Sequence, residues 1–334
     1  MRGLLTVKEI TLRGTHYEMG RQVGEQLRAS GKELSKLTAE QTRAAEALVR
    51  DVAARIPDLF DEMRGIAEGG GYDERTVQFH SLAIGIVPSC TAVAVSGAHT
   101  TTGRTLFGRN YDAGPEHSDF TLYRTYPANA LSHIGCCYDL LVGREDGINE
   151  AGLAAAVTGV QGAHTSRPGV WNHIPVRAVL EQCRTVDEAV ELIRALPHLW
   201  TKSFLVADSS GSVAAIEASQ EDLAVLRPKR GYGAIANHFV AQEMRAYCDE
   251  ERIPANSVQR LEIARRWFEL RGRQPSGVKR EDLRQLLGST GEGVRSELGA
   301  EFTTVWSWVA ELGERKLELC DRLPEPDAYR VYEF

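Results

Sequence analysis

Beyond residue 89 the chain reads as strands, a pair of helices, more strands, a second pair of helices and a closing hairpin. That order rules out most folds open to 334 residues. Runs of β-branched and alternating residues predict strands over 91–96, 104–111, 119–126, 134–143 and 153–158. Helices follow over 171–183 and to about 196, the second opened by the capping box Thr185-Val-Asp-Glu188. Strands return over 203–207, 213–218, 223–226 and 232–236, with Asp208-Ser-Ser-Gly211 as a hairpin turn. Helices are expected at 256–272 and 280–287, then a hairpin pairing 303–309 with 316–320. A parallel α/β sheet needs strict alternation of strand and helix, which this order lacks. It suits an α+β chain built as a four-layer α-β-β-α sandwich, two antiparallel sheets face to face with a helical layer outside each.

Residues 1–89 differ in character. After a short strand over 4–12, Thr15-His-Tyr-Glu18 has capping-box spacing and opens a helix expected to run to about Ile56, where Pro57 ends it. A second helix over 59–68 stops at Gly69-Gly-Gly71, and a third begins near Asp73 and reaches Leu82. The division is therefore a helical N-terminal segment, 1–89, and a β-rich body, 90–334.

A net charge of −7 offers no footprint for nucleic acid or an anionic membrane. No apolar run is long enough to span a bilayer, and the first residues lack a signal-peptide core, so a soluble cytoplasmic protein is expected. The six cysteines are expected to be reduced. Cys136-Cys137 with His133 nearby lacks a second ligand pair at zinc spacing and reads as buried thiols in a strand. Neither a metal nor a cofactor is expected.

Chemistry concentrates at the start of the body. Cys90-Thr-Ala-Val-Ala-Val and Thr105-Leu-Phe-Gly-Arg-Asn-Tyr-Asp112 read as two strands of a hairpin. Folding about residue 100 sets Cys90 opposite Asn110, or opposite Arg109 if the register slips by one. Arg109 and Asp112 have opposite strand parity, so both reach Cys90 only if the chain bends near Tyr111. A thiol beside a guanidinium and a carboxylate is a candidate nucleophile; a strand cysteine with a structural Arg109–Asp112 ion pair is the plainer reading.

The ordered set Gly14-Thr-His-Tyr-Glu-Met-Gly20 with Gly24, Cys90-Thr-Ala, Gly108-Arg-Asn-Tyr-Asp112, Asp146-Gly-Ile-Asn-Glu-Ala-Gly-Leu153, Asp208 with Gly211 and Glu217, and Asn237-His-Phe239 spans nearly the whole chain. It resembles the acyl-coenzyme A:6-aminopenicillanic acid acyltransferase family (peptidase C45-like) of N-terminal-nucleophile hydrolases and, more distantly, bile salt hydrolases. The resemblance implies self-cleavage at Ser89–Cys90, leaving Cys90 to lead the 90–334 body with 1–89 bound beside it. The freed α-amino group would take the thiol proton. Arg109 would favour the thiolate, Asp112 would balance the new ammonium, and Asn237 would give a side-chain N–H to the oxyanion. The substrate implied is a small-molecule amide or acyl thioester. Two departures stand out. Ser89 replaces the family's glycine before the nucleophile. The bile salt hydrolases' asparagine donor and late-strand arginine are missing, which leaves Thr158 or a backbone N–H for the first role, an empty place for the second, and an argument against bile salts. Asn110 and His238 are further candidate substrate contacts. Two rival readings are an unprocessed cysteine hydrolase with His238 or His164 as base, and a non-catalytic binding module. Without the resemblance, Asn237 reads as a cap for a helix starting near Val240, Asn149-Glu150-Ala-Gly152 as a tight turn, and Trp171, Trp200 and Trp306 as core or pocket wall.

Overall fold

The computed structural model describes residues 8–85, 89–114, 120–138, 142–162, 168–271, 276–296 and 303–334. One sheet has eight strands in the spatial order β1 (Lys8–Gly14), β4 (Thr121–Pro127), β5 (His133–Cys137), β6 (Asp146–Asn149), β7 (Leu153–Gly159), β8 (Lys202–Asp208), β9 (Val213–Ala218) and β10 (Leu223–Leu226). The other has six, in the order β11 (Tyr232–Ile235), β2 (Ser89–Val95), β3 (Leu106–Ala113), β12 (Thr303–Glu311), β13 (Lys316–Cys320) and β14 (Arg330–Glu333). β1 lies parallel to β4; the other pairings are antiparallel.

The two-residue period of a strand explains the layers. Cys90, Ala92 and Ala94 of β2 face inward with Phe107 and Tyr111 of β3 and Trp306 and Trp308 of β12, and meet Ala154, Ala156, Leu205 and Ala207 of the larger sheet. The alternate residues Val93, Val95 and Leu106 turn outward onto α7 (Ala255–Arg271) and α8 (Arg280–Gly288). Leu153, Ala155 and Val157 turn outward onto α5 (His173–Gln182) and α6 (Val186–Ala195). Both faces of each sheet are thus covered, the sandwich that the order of elements predicts.

The N-terminal segment is more than a helical appendage. β1 is an edge strand of the eight-stranded sheet, and α1 (His16–Ala29), α2 (Ala39–Val52), α3 (Pro57–Gly70) and α4 (Glu74–Ala83) share a core with Tyr123, Ile174 and Ala178 of the body. The single helix expected up to Ile56 is two helices. Gly31, at φ 69°, follows the end of α1, and Thr38 with Gln41 forms a capping box that opens α2. α1 and α3 cross almost backbone to backbone. A Cβ on Gly20 would lie 2.0 Å from the Glu62 carbonyl oxygen, and one on Gly65 2.1 Å from that of Tyr17.

Other expectations shift in detail. The strand expected over 134–143 ends at Cys137, with residues 139–141 outside the described residues. β6 and β14 were not foreseen: β6 reads Asp-Gly-Ile-Asn, a turn-like composition, and β14 is a four-residue edge. The hairpin register puts Cys90 opposite Tyr111, neither Asn110 nor Arg109. β3 runs through to Ala113, so the bend anticipated near Tyr111 does not occur and the bulge falls on β12 between Thr304 and Trp306 instead. The segment after Asn237 is a 3₁₀ turn, Gln242–Tyr247, whose preceding residue is Ala241, so Asn237 caps no helix.

Gly20→Val should cost about 3 kcal/mol by overpacking the α1–α3 crossing, measured as a drop in ΔG of urea unfolding, whereas an alanine at exposed Arg28 should stay within about 0.5 kcal/mol of the parent.

Candidate functional site

The ribbon formed by β2 and β3 carries charge on both faces. Antiparallel pairing sets Ser89 against Asp112, Cys90 against Tyr111, Thr91 against Asn110 and Ala92 against Arg109. Cys90, Arg109 and Tyr111 therefore share the inward face. Thr91, Asn110 and Asp112 share the helix-side face.

On the inward face Arg109 is wholly buried, and its Nε donates to Asp146 Oδ2 at 3.2 Å. Asp146, on β6 of the facing sheet, also accepts from Trp306 Nε1 at 3.0 Å. The partner of Arg109 is thus Asp146 and not Asp112. Its Nη1 and Nη2 have no hydrogen-bond partner among the described residues. The Cys90 thiol is also wholly buried. Burial pushes it up to about 12, Arg109 countering this and Asp112 and Glu145 adding to it. Glu145 stands nearby, its carboxylate oxygens without hydrogen-bond partners among the described residues and its acidity weakened to about 8 by burial.

On the helix-side face Asp112 accepts from Ser296 Oγ at 2.6 Å and Thr304 Oγ1 at 2.7 Å, and pairs with Arg260 at 3.5 Å. Burial raises its carboxyl, and Arg260 and the two hydroxyls oppose the rise. Arg260 reaches in from α7. Its Nη1 donates to the Cys90 carbonyl at 2.6 Å and to Thr91 Oγ1, its Nη2 to Asn237 Oδ1 at 2.8 Å and Ser89 Oγ at 3.1 Å. Asn237 Oδ1 accepts the Cys90 backbone N–H at 2.8 Å, and its Nδ2 donates to the Gly159 carbonyl at 2.8 Å. The carboxamide thus offers its oxygen to the nitrogen of the Ser89–Cys90 link. The side-chain N–H the sequence assigned to an oxyanion is bonded to Gly159.

Arg109 lies on the sulfur's face of the ribbon, whereas Asp112, Asn237 and Ser89 gather with Arg260 around the Cys90 main chain on the other. Three candidates do neither. Asn110 points to the helical layer and donates to the Leu287 carbonyl at 2.9 Å. Thr158 Oγ1 donates to the Ala236 carbonyl at 2.7 Å and so fixes the strand end that precedes Asn237. His238 Nδ1 meets Ser257 Oγ at 2.8 Å rather than the sulfur, and burial with nearby Arg265, Arg260 and Arg245 lowers it to about 4. His164 lies outside the described residues. Asn149 and Asp208 are scaffold: Asn149 Oδ1 accepts from Ala151 and Leu153 N–H in its turn, and Asp208 Oδ2 accepts from Val186 N–H at the start of α6.

The sequence reading missed Arg260, and it placed Asp146 in the ordered family set without seeing it as the partner of Arg109. A signal for the first exists. Ser257, Arg260, Leu261, Ala264 and Phe268 recur at helical spacing and form the buried stripe of α7. A serine and an arginine inside such a stripe mark a polar contact with the sheet beneath.

Two sheets face to face between helical layers form the sandwich of the N-terminal-nucleophile hydrolase fold. The family model for acyl-coenzyme A:6-aminopenicillanic acid acyl-transferase matches residues 99–322, well over half the chain, and the chain belongs to that family. Solved structures share the fold at low identity. A variant of conjugated bile acid hydrolase from Clostridium perfringens has a TM-score of 0.50 at 15% identity, over 73% of this chain and 92% of that one. Penicillin V acylase from Agrobacterium tumefaciens has 0.50 at 17%, over 72% and 84%. The Caenorhabditis elegans ortholog of N-acylethanolamine-hydrolyzing acid amidase has 0.50 at 16%, over 73% and all of that chain. No curated protein sequence matches. Among the described residues no helix is long and apolar enough to cross a membrane.

Arg260→Met should cost about 3–5 kcal/mol in chemical denaturation, because it strands buried Asp112; adding Asp112→Leu to it should recover part of that loss, a non-additivity read from the double-mutant cycle.

Proposed function

We propose that the chain is a self-processed cysteine amide hydrolase or N-acyltransferase acting on small-molecule amides or acyl thioesters through an acyl-enzyme on Cys90. The observation that carries this reading is the convergence of Asn237 and Arg260 on the Ser89–Cys90 link while Arg109 stands on the face of the sulfur. In maturation the Cys90 sulfur attacks the Ser89 carbonyl carbon. The C–N bond breaks, the nitrogen gains a proton, and water opens the resulting thioester to leave Ser89 as a carboxylate and Cys90 with a free amine. Asn237 Oδ1, already hydrogen-bonded to that nitrogen, holds the leaving group.

In turnover the freed amine accepts the thiol proton, and the thiolate attacks the substrate carbonyl. The two unpartnered Nη groups of Arg109 supply positive charge on that face. Expulsion of the amine leaves a thioester, which water or an acceptor amine resolves. Burial pushes the thiol up to about 12 in the uncut chain, with Arg109 opposing the rise, so the fraction of thiolate is low before the cut and the freed amine adds a proton acceptor after it.

Segment 1–89 stays attached after the cut. β1 pairs with β4 from Lys8 to Gly14, and Arg177 of α5 is bound by Glu62 of α3 at 2.7 Å. His16 of α1 meets Glu181 of α5 at 3.2 Å. Parting these groups would expose an edge strand and desolvate or rehydrate a buried ion cluster. All six cysteines are free thiols, which suits a reducing compartment.

Intact-mass analysis should show two fragments meeting at Ser89–Cys90 that co-elute in native gel filtration, and Cys90→Ala should leave one chain without turnover of p-nitrophenyl esters or penicillin V. An uncut wild-type chain with full Cys90-dependent turnover would replace this reading by an unprocessed hydrolase; no alkylation of Cys90 by iodoacetamide and no turnover would replace it by a binding module.

A further inference from the structure

The loop that begins at Asn237 is tied down at its far end by a buried carboxylate outside the cysteine site. Glu217, on β9, is 2% exposed. Its Oε1 accepts from Val240 N–H at 2.6 Å and its Oε2 from Ala241 N–H at 3.0 Å. At the near end, Asn237 N–H donates to Ser257 Oγ at 2.8 Å, and the Asn237 side chain bonds Cys90 N–H and Gly159. Residues 237–241 are therefore pinned at both ends, and a single carboxylate holds one of them.

An ionised carboxylate is an apt clamp because it accepts from two N–H groups at once, whereas an amide or a protonated acid presents a donor to one of them. Its setting opposes ionisation. Glu217 lines a cavity of about 250 Å³ with Ser203, Ile235, His238, Val240 and Arg265. Burial raises it to about 7, the two N–H groups and Arg265 of α7 pulling it down and Glu243 of the 3₁₀ turn pushing it up. His238, itself held low, Ser203 of β8, Arg227 after β10 and Cys248 after the 3₁₀ turn also lie around it.

We propose that Glu217 is a positioning residue for the reaction at Cys90: its ionised carboxylate holds the 237–241 loop in the register that aims Asn237 at the Cys90 nitrogen. The proposal rests on the reading of Cys90 as nucleophile. It separates structural from functional cost. A carboxyl whose folded value is raised contributes stability below its unfolded value near 4.5 and loses it as pH rises through about 7. At pH 8 the ionised group is thus a burden on the fold, kept for its geometry.

The experiment compares wild type, Glu217→Gln and Glu217→Asp for the rate of Ser89–Cys90 cleavage, and for kcat and KM on a p-nitrophenyl acyl ester from pH 5 to 9, with Tm measured at pH 8. Expected for Glu217→Gln are a kcat lower by 10- to 100-fold, a KM within about twofold, a Tm no lower than wild type, and loss of a wild-type acid limb near pH 7. Glu217→Asp should recover part of kcat and keep the limb. Unchanged kcat in Glu217→Gln, or a fall in Tm that accounts for the fall in activity, overturns the proposal. Absence of Cys90-dependent turnover in wild type overturns the nucleophile reading beneath it.

Discussion

Two buried ion pairs, one on each face of the ribbon of β2 and β3, govern the architecture around Cys90. Arg109 pairs inward with Asp146 across the space between the sheets, and Asp112 pairs outward with Arg260 of α7. Burying four charges carries a desolvation penalty of several kcal/mol per ion, which mutual attraction offsets only when each member finds further hydrogen bonds. Asp146 finds Trp306, Asp112 finds Ser296 and Thr304, and Arg260 finds a backbone carbonyl, a carboxamide and hydroxyl groups. Among the described residues Arg109 leaves Nη1 and Nη2, and Arg260 its Nε, without hydrogen-bond partners, and Arg109 is the one on the sulfur's face of the ribbon. A fold could fill this space more cheaply with hydrocarbon; the site retains charge where a carbonyl oxygen or a thiolate would need it.

The sandwich was legible because strand and helix blocks alternate in groups and because alternate residues of buried strands are small or β-branched. Ala92, Ala94, Ala154 and Ala156 line the seam between the sheets, while Val93, Val95 and Val157 serve the outer layers. Cys90, Arg109, Asp112 and Asn237 were legible as a set through the family's spacing, and the structure sets Arg109 on the sulfur's face of the ribbon and the other two around the Cys90 main chain. Their parity was read correctly. The register was set one residue off because the hairpin loop centres slightly later than residue 100, and the Arg109–Asp112 pair does not form because opposite parity on one strand sends the two to opposite faces.

What escaped the sequence reading has a common cause. Arg260 sits on a helix about 170 residues downstream of Cys90 in a segment whose pattern announces only amphipathic packing. Asp146 precedes a glycine in a stretch that looks like a turn. Each contact depends on which face of one element meets which face of another, and local periodicity specifies the face without naming the partner. The split of the first helix at Gly31 failed differently: the Thr38–Gln41 box was on view, and helical composition on either side masked it.

The closed sulfur is the most instructive feature of the site. A thiol raised to about 12 among Ala92, Tyr111 and Trp306 looks like core, and taken alone would argue for structure over chemistry. Yet the polar groups beside it do not serve the sulfur as it stands. Asn237 and Arg260 grip the backbone on either side of it, at the Cys90 nitrogen, the Cys90 carbonyl and Ser89. β11 pairs with β2 only from Ala92 to Val95, so the Cys90 nitrogen lies past the end of that ladder and takes the Asn237 carboxamide in its place. The proposed cleavage would use this arrangement at the Ser89–Cys90 link. Its nitrogen is already held by the acceptor an ammonium would use, and Asp112, raised yet solvated by two hydroxyls and a guanidinium, stands on the residue paired with Ser89. On the proposed reading, the same low-dielectric surroundings that raise the thiol would strengthen every interaction it made once its own amine were free.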